Sequence, residues 1–277
     1  MRYKDDLEQK YSQLKNRIAS AGKAAIAFSG GVDSVFLLYA AKEALGGQVL
    51  ALTVSLHAVP EKELEEAKDF CRQHQIRHRV ESIDEFLIPG FAENPPDRCY
   101  LCKKTLFGRM LKTAGEEGFL TLMEGSNVDD QGDYRPGLRA LRELQIQSPL
   151  KESGFTKTEI REMSRRLCLP AWEKPSMACL ASRFVYGELI TPEKLSMVGQ
   201  AEEFLTELGF AQRRVRMHGS LARIELLPEE FSAVLEDGRY CQIQKRLSEL
   251  GFSYATLDLK GFESGSMNKV LGDSTVK

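Results

Sequence analysis

Ser29-Gly30-Gly31-Val32-Asp33-Ser34 is the stretch that decides the fold of this 277-residue sequence. It follows an apolar run at 24–28, and apolar residues at helical spacing begin directly after it. A strand that turns at glycines into a helix forms an anion site, because the turn is tight and the helix N-terminus presents amide N–H groups. We expect Ser29 and Ser34 to add hydroxyl donors and Asp33 to hold magnesium against phosphate oxygens. The alternative is an ordinary turn with a serine cap.

The rest of the first half alternates between strand and helix patterns. Buried strands are expected at 24–28, 49–54, 76–80 and 119–123, with helices at 4–20 and 60–74. This alternation predicts an α/β domain with a parallel sheet covered on both faces. Ligands of such sheets bind beyond the carboxyl ends of the strands, which is where the glycine turn lies.

The composition is that of a globular protein, with 42% apolar and 28% charged residues. A net charge of −2 provides no general attraction to nucleic acid, so we expect no nucleic-acid partner. No apolar run reaches membrane-spanning length, and the first residues do not lead into a signal peptide. The expected location is therefore the cytoplasm. Structural disulfides are rare there, so some of the six cysteines are expected to be metal ligands or reactive thiols.

Three of these cysteines stand in settings that suggest chemistry. Cys99 and Cys102 follow a proline pair and open a helical pattern, where a helix dipole and lysines favour thiolate. Such a pair can chelate a metal or cluster, but it is equally compatible with a redox dithiol or with coincidence until a third ligand is found. Cys179 lies in a proline-flanked segment with Arg183 four residues on, which would lower the thiol pKa if the two meet. A buried structural cysteine is the alternative.

The segment 125–137 is the second candidate for nucleotide binding. Nearly every residue in it carries an oxygen or a permissive backbone, as expected around a nucleotide and its magnesium ion. Gly125 and Arg135 are its candidate nucleotide-binding residues. A solvated surface loop is the alternative interpretation.

The last third of the chain changes character. A helical pattern ending in Leu-Gly-Phe occurs at 203–210 and again at 245–252, and glycine is the natural residue after a helix C-terminus. Each copy leads into a strand pattern, at 214–217 and 254–259, with a further strand at 222–226. This predicts a smaller α+β domain at 185–277, after a first domain at 1–184. Arg214 and Arg216 would share one strand face and could bind a phosphate, unless they are simply exposed.

The hexapeptide at 29–34 resembles the pyrophosphate loop of ATP pyrophosphatases, which cleave ATP between its α and β phosphates and have an adenine nucleotide alpha hydrolase-like fold. The whole chain is similar to one family among them, the LarE family of ATP-dependent sulfur transferases. The residues that carry the resemblance span about 25–268. They are 29–34, 127–137, 175–179, 182–184, 214–218, 257–259, 261–262 and 264–265.

The resemblance implies an activity in the synthesis of the nickel-pincer nucleotide cofactor of lactate racemase. A carboxylate of a pyridinium-3,5-dicarboxylate mononucleotide is adenylated by ATP, sulfur attacks it, and AMP leaves as a thiocarboxylate forms. Cys179 then takes the sulfur-handling position, and Arg214 and Arg216 hold the substrate phosphate. Ser182, Arg183 and Glu202 match further residues near the active site. The family also implies a hexamer.

Two modes of sulfur supply are known in this family. In one, a single cysteine gives up its own sulfur, and such members lack the cysteine pair. In the other, three cysteines hold a 4Fe–4S cluster that delivers sulfur from sulfide or another donor. Cys99, Cys102 and Cys179 resemble the second type, since three thiolates leave one iron open for a bound hydrosulfide. A zinc site with three cysteines and water is the main rival.

Other functions remain open from the sequence. An amidotransferase-like synthetase of the same superfamily would need a glutaminase domain, which is not evident. A tRNA thiolase also uses three cysteines, but the chain lacks net basic charge. A nucleotide- and metal-binding regulator without turnover would not need three thiols beside an intact Asp33.

Overall fold

The computed structural model describes residues 2–131, 136–174, 179–263 and 265–271. The chain forms two compact units. The first comprises Met1–Asp84 and Cys99–Met177, and the second comprises Glu85–Arg98 and Ala178–Lys277. The sequence analysis expects the division after residue 184. The units of the structure divide several residues earlier, and residues 85–98 belong to the second unit. A substrate-binding and oligomerisation role for the second unit stays a proposal.

The first unit is built on a parallel sheet, as expected from the alternating pattern. Its described strands are β1 (Ala24–Ala27), β2 (Val49–Ser55), β3 (Arg77–Ser82) and β4 (Leu122–Met123). They are ordered β3-β2-β1-β4, and every neighbouring pair is parallel. The strand expected at 119–123 therefore comprises only its last two residues.

Seven helices accompany this sheet in the described residues. They are α1 (Arg2–Ala19), α2 (Val32–Leu45), α3 (Glu61–Gln73), α4 (Arg98–Glu116), α5 (Gly137–Glu143), α6 (Pro149–Glu152) and α7 (Lys157–Arg166). The α7 N-terminus has a capping box, in which Thr156 and Glu159 satisfy each other's backbone N–H groups. The first unit is therefore α/β in class, and the glycine turn that resembles the loop of ATP pyrophosphatases lies between β1 and α2.

The two sides of the sheet are covered by different helices. Ala24 and Ile26 of β1 pack in one apolar cluster with residues of α1, α2 and α7. Ala25, between them in sequence, packs in a second cluster with residues of α4 and α5. Successive strand residues point to opposite faces, so a strand buried on both faces must be apolar throughout, which explains the continuous apolar runs.

The second unit is an α+β arrangement, as expected. Its elements are α8 (Pro192–Glu207), β5 (Arg213–His218), β6 (Leu221–Leu226), α9 (Phe231–Leu235), α10 (Arg239–Glu249) and β7 (Tyr254–Leu257). The strands are ordered β5-β6-β7, with β5 and β6 antiparallel and β6 and β7 parallel. The last strand ends before Leu259, which is 88% exposed, so the expected strand at 254–259 is shortened.

The repeated Leu-Gly-Phe sequences end α8 and α10 in the same way. Gly209 and Gly251 have φ values of +94° and +105°, a region that glycine enters without steric cost. The amide of Phe210 donates to the carbonyl of Leu205, and the amide of Phe252 donates to that of Leu247, each at 3.0 Å. These bonds are those of a Schellman motif, so the interpretation of the repeats as helix ends is confirmed.

Cys168 is exposed, with a φ of +55° just beyond α7. Among the described residues, no helix is both long enough and apolar enough to cross a membrane.

Candidate functional site

The glycine turn joins the end of β1 to α2 in the first unit. Gly30 has a φ of +74°, and Gly31 in extended conformation caps α2. The Ser34 hydroxyl donates to the carbonyl of Gly31 at 3.0 Å, and it lies 3.2 Å from the hydroxyl of Ser29. The turn is therefore held from inside by its two serines, and it sits at the carboxyl end of a central strand, where a helix N-terminus favours an anion.

Backbone packs closely against the turn at Gly125. A Cβ atom added to Gly125 would lie 3.2 Å from the carbonyl carbon of Asp33 and 3.2 Å from the amide nitrogen of Ser34. That spacing is tighter than most Cβ contacts, so a larger residue here would push the backbone of the turn away by a few tenths of an ångström. Gly125, singled out in the sequence, thus contacts the turn directly.

Asp33 is the point where three segments of the first unit meet. Its carboxylate accepts a hydrogen bond from the Asn127 side-chain amide at 3.3 Å and forms an ion pair with the Lys157 ammonium group. Lys157 is the first residue of α7, so it brings a positive charge to the glycine turn. The Asp33 carboxylate itself offers the hard oxygen ligands that magnesium prefers, while the Asn127 amide oxygen accepts from the amide of Asp129 at 2.9 Å.

The polar segment after β4 is ordered by its own acidic side chains where the structure describes it. Asp130 accepts from the amide of Asn127 at 2.9 Å, and Asp129 accepts from the amide of Lys157 at 2.7 Å. The described part of the segment is thus a built turn that holds Asn127 and Lys157 toward Asp33, and its role in nucleotide binding stays a prediction. Arg135 lies outside the described residues.

Cys99 and Cys102 occupy the first turn of α4, as the sequence indicated. Residues three apart share a helix face, so one ligand can be reached by both thiols. Cys99 is exposed and Cys102 is half-buried. The helix start is anchored by Tyr100, whose hydroxyl donates to Glu143 of α5 at 2.8 Å. The pair is therefore held on a fixed element.

Cys179 lies in the second unit, at the start of a helical turn formed by Leu180–Arg183. It is exposed, so its interpretation as a buried structural cysteine is wrong. The amide of Ser182 donates to the Cys179 carbonyl at 2.9 Å, which closes this turn. Residues 175–178, part of the family resemblance, lie outside the described residues. Because the pair and Cys179 belong to different units, their convergence stays a prediction.

Arg183 and Glu202 form a buried ion pair in the second unit. Arg183 is 0% exposed, and its guanidinium donates to both carboxylate oxygens of Glu202, at 2.6 and 3.0 Å. The same carboxylate accepts from the amide of Val215 at 2.9 Å. Burial by itself would raise the pKa of Glu202, but the charge and hydrogen bonds of Arg183 outweigh it and hold that pKa below its usual range.

Arg214 and Arg216 are buried, each 5% exposed, which excludes their interpretation as surface arginines. They lie on one face of β5. Arg216 donates to a Glu225 carboxylate oxygen at 2.9 and 3.1 Å and to the carbonyl of Ser182 at 3.0 Å. Burial, and then the positive charge of Arg183, lowers the pKa of Arg214 to about 10, so it remains charged at neutral pH.

These residues form a charge cluster, called here the arginine cluster, in which positive charge exceeds negative charge. It contains four arginines and three carboxylates, namely Arg183, Arg214, Arg216, Arg223, Glu202, Glu225 and Asp258. A net positive charge in a largely buried cluster favours an anionic ligand. Planar guanidinium groups bind phosphate through paired hydrogen bonds, so a phosphate ester suits this cluster.

Sequence reasoning did not single out several residues of these sites. Lys157 lies within the recognisable capping sequence of α7, but it is 124 positions from Asp33 in the sequence, so the sequence does not indicate their contact. Glu225 and Arg223 alternate along β6, and this alternation could have placed them on one face with the arginines of β5. Asn127 was part of the polar segment, without a role of its own.

Comparison with known proteins gives the relatives of this chain. A family model described as a PP-loop domain matches residues 3–89. The chain is 40% identical over 265 residues to an uncharacterised protein of Synechocystis, a match that covers 96% of this chain and 99% of that protein. It is 33% identical over 266 residues to the pyridinium-3,5-bisthiocarboxylic acid mononucleotide synthase of Lactiplantibacillus plantarum, covering 96% of each chain.

A more distant relative is a component of the glutamine-hydrolysing GMP synthase of Thermoplasma volcanium. It is 29% identical over 205 residues, covering 68% of this chain and 65% of that component. The synthase of Lactiplantibacillus plantarum thus matches nearly the whole chain, whereas the GMP synthase component matches about two thirds of it.

Proposed function

Because this chain belongs to the LarE family of PP-loop proteins and is an ATP-using enzyme, we propose that it is an ATP-dependent sulfur transferase. Its substrate is a pyridinium-3,5-dicarboxylate mononucleotide. A carboxylate attacks the α phosphate of ATP and pyrophosphate leaves. Hydrosulfide sulfur then attacks the acyl carbon, a proton is released, AMP leaves and a thiocarboxylate forms. The observation that carries the proposal is the match over 96% of both chains to a bisthiocarboxylic acid mononucleotide synthase.

The first unit supports the adenylation step. The glycine turn offers N–H groups and two hydroxyls to the phosphates of ATP, and the Asp33 carboxylate, held by a hydrogen bond from the Asn127 side-chain nitrogen, offers oxygen ligands to magnesium. Lys157 adds a cation at the same carboxylate. Positive charge placed where a pyrophosphate leaving group develops negative charge lowers the barrier to its departure.

The thiols support sulfur delivery through a cluster. Cys99 and Cys102 share one helix face, Cys179 is exposed, and thiolates are the ligands that iron–sulfur clusters take. These three residues would hold a 4Fe–4S cluster, which when bound supplies hydrosulfide at its open iron. The chain contributes the ligands and the fixed helix start on which two of them stand.

The arginine cluster supports recognition of a mononucleotide. Arg214 and Arg216 would bind the substrate phosphate, while Glu202 and Glu225 hold the neighbouring guanidinium groups in place. Ser182 and Arg183 belong to the turn that begins at Cys179, so the phosphate site and the third thiol share one structural element. A phosphate bound there would orient the substrate relative to Cys179.

In a Lys157→Met variant we expect pyrophosphate release from ATP to fall about a hundredfold, the usual cost of losing one charged donor at a developing anion. Stability should change little, because a partly exposed ion pair contributes at most about 1 kcal/mol. Pyrophosphate release and thermal unfolding would be measured on the same samples.

The matched control is Lys15→Met, which removes a similarly exposed ion pair with Glu43 at 3.0 Å. It should leave both measurements unchanged. Equal activity losses in the two variants would show that Lys157 has no special role toward ATP.

The proposed function is tested on protein purified without oxygen and supplied with ATP, magnesium, sulfide and the pyridinium substrate. We expect about four irons and four labile sulfides per chain, loss of both in Cys99→Ala, release of pyrophosphate, and a product heavier by the exchange of oxygen for sulfur. Absence of pyrophosphate release with this substrate would refute the proposal and favour a regulator.

Other outcomes separate the remaining alternatives. Metal-free protein that loses one sulfur mass from Cys179 per turnover would establish sacrificial transfer. Zinc in place of iron would establish a three-cysteine zinc site, and sulfur incorporation into tRNA would establish a thiolase. The hexamer implied by the family is checked in the same preparation by light scattering.

A further inference from the structure

We propose that Arg98 and Asn94 are positioning residues for the three-thiol site, because their hydrogen bonds hold the turn that begins at Cys179 to the residue directly preceding Cys99. The inference rests on the proposed function, since it assigns these residues to the site that handles sulfur. Every contact that carries it lies within the second unit.

Arg98 is a buried cation that reaches the Cys179 turn. It is 4% exposed, and its guanidinium donates to the carbonyl of Ala181 at 2.8 Å. That carbonyl lies within the turn Leu180–Arg183, which Cys179 caps and which the bond from the Ser182 amide to the Cys179 carbonyl closes. Arg98 therefore fixes a backbone atom two residues from the thiol-bearing residue.

Asn94 completes the connection. It is 0% exposed and takes a φ of +53°, a conformation that asparagine tolerates better than most residues. Its side-chain oxygen accepts from Arg98, and its side-chain nitrogen donates to the carbonyl of Val185 at 2.7 Å. Its own carbonyl accepts from the amide of Gly187 at 2.9 Å. The segment 181–187 is thus tied at three places to residues 94 and 98.

The peptide bond between Arg98 and Cys99 links this hydrogen-bond network to the cysteine pair. Arg98 is the first residue of α4 and Cys99 is the second, so the position of Arg98 constrains the first thiol of the pair through one peptide bond. A guanidinium fork with several fixed donors restrains the orientation of its partners more firmly than a single donor does. Outer residues that orient ligands are needed at metal sites because the ligands themselves cannot fix their own spacing.

The test compares Arg98→Met with Arg98→Lys, in which a cation can still donate to one carbonyl. In protein prepared without oxygen, we expect Arg98→Met to retain iron about tenfold less well, with a changed electron paramagnetic resonance spectrum of the reduced cluster. Arg98→Lys should restore part of the iron retention and part of the wild-type spectrum. Asn94→Gly keeps the left-handed backbone but removes both side-chain hydrogen bonds, so its iron retention and spectrum should resemble those of Arg98→Met. If Arg98→Met does not fold, Asn94→Gly provides the test.

A second readout does not depend on iron. In metal-free protein, a short bifunctional thiol reagent should link Cys179 to Cys99 or Cys102, and the yield should fall in Arg98→Met. The matched control is Lys42→Met, which also removes a contact from a cationic side chain to a backbone carbonyl, that of Gln75 at 2.9 Å, and should change neither readout.

Unchanged iron retention and unchanged linking in both Arg98→Met and Asn94→Gly would overturn the inference. If wild-type protein binds no iron at all, the proposed cluster fails. The linking yields in metal-free protein still decide whether Arg98 and Asn94 position the thiols.

Discussion

A Cys179→Ala variant should still release pyrophosphate from ATP in the presence of the pyridinium substrate, yet form no detectable thiocarboxylate. In the proposed mechanism adenylation uses the glycine turn, Asp33 and Lys157, all within the first unit, and needs no thiol. The proposed sulfur transfer uses the exposed thiol at the start of the turn in the second unit. The two half-reactions should therefore separate completely, which would be measured as pyrophosphate release and product mass in one reaction.

The control for this variant is Cys241→Ala, which removes another exposed thiol, on α10. It should retain both half-reactions. Thiocarboxylate formation that persists at the wild-type rate in Cys179→Ala would exclude this residue from sulfur handling under either the cluster or the sacrificial mechanism. Persistence of a single turnover in Cys99→Ala, with loss in Cys179→Ala, would select the sacrificial mechanism.

A Glu202→Gln variant should lose about 3–5 kcal/mol of unfolding free energy, because it leaves the guanidinium of Arg183 buried without its charged partner. Glutamine keeps the shape of the side chain but supplies one acceptor oxygen where the carboxylate supplies two, and those two now serve Arg183 and the amide of Val215. Urea denaturation followed by circular dichroism would measure the change. Glu249→Gln, which alters an exposed pair with Arg246, is the control and should change stability by less than about 1 kcal/mol.

The effect of Glu202 should also depend on pH in a defined direction. Its pKa is depressed in the folded state, so its contribution is fully present above the usual carboxyl pKa and is lost as pH falls through the lower folded value. The stability difference between wild type and Glu202→Gln should therefore narrow in acid. A difference that stays constant through the acid range, or that equals the Glu249→Gln control, would show that the ion pair does not stabilise this unit as described.

Much of the fold follows from short-range patterns in the sequence. The glycine turn at 29–34, the doubly buried strands beside it and the Leu-Gly-Phe helix ends all appear in the structure where they were expected. Each depends on the conformational preference of a glycine or on apolar residues a few positions apart, and such preferences act locally. Strand ends were less predictable, because apolar residues lie outside the paired stretch, before it in β4 and after it in β7.

The candidate sites were predictable as residues but not as contacts. Asp33 was identified from its motif, whereas its ion pair with Lys157 depends on how β4 and α7 return to the glycine turn. Arg214 and Arg216 were placed on one face by strand alternation. The burial of both arginines, and the compensation of the Arg216 charge by Glu225, depend on the register between β5 and β6.

By itself, the sequence determined the α/β class, the nucleotide turn, the three candidate thiols and the family. Local backbone preference and recognisable motifs are enough for these. Only the tertiary structure decided that Lys157 meets Asp33, that Arg183 is buried on Glu202, and that Arg98 holds the Cys179 turn. The physical reason is that charge and hydrogen-bond partners far apart in sequence are chosen by topology, and burial then makes the cost of an unsatisfied charge high enough to matter.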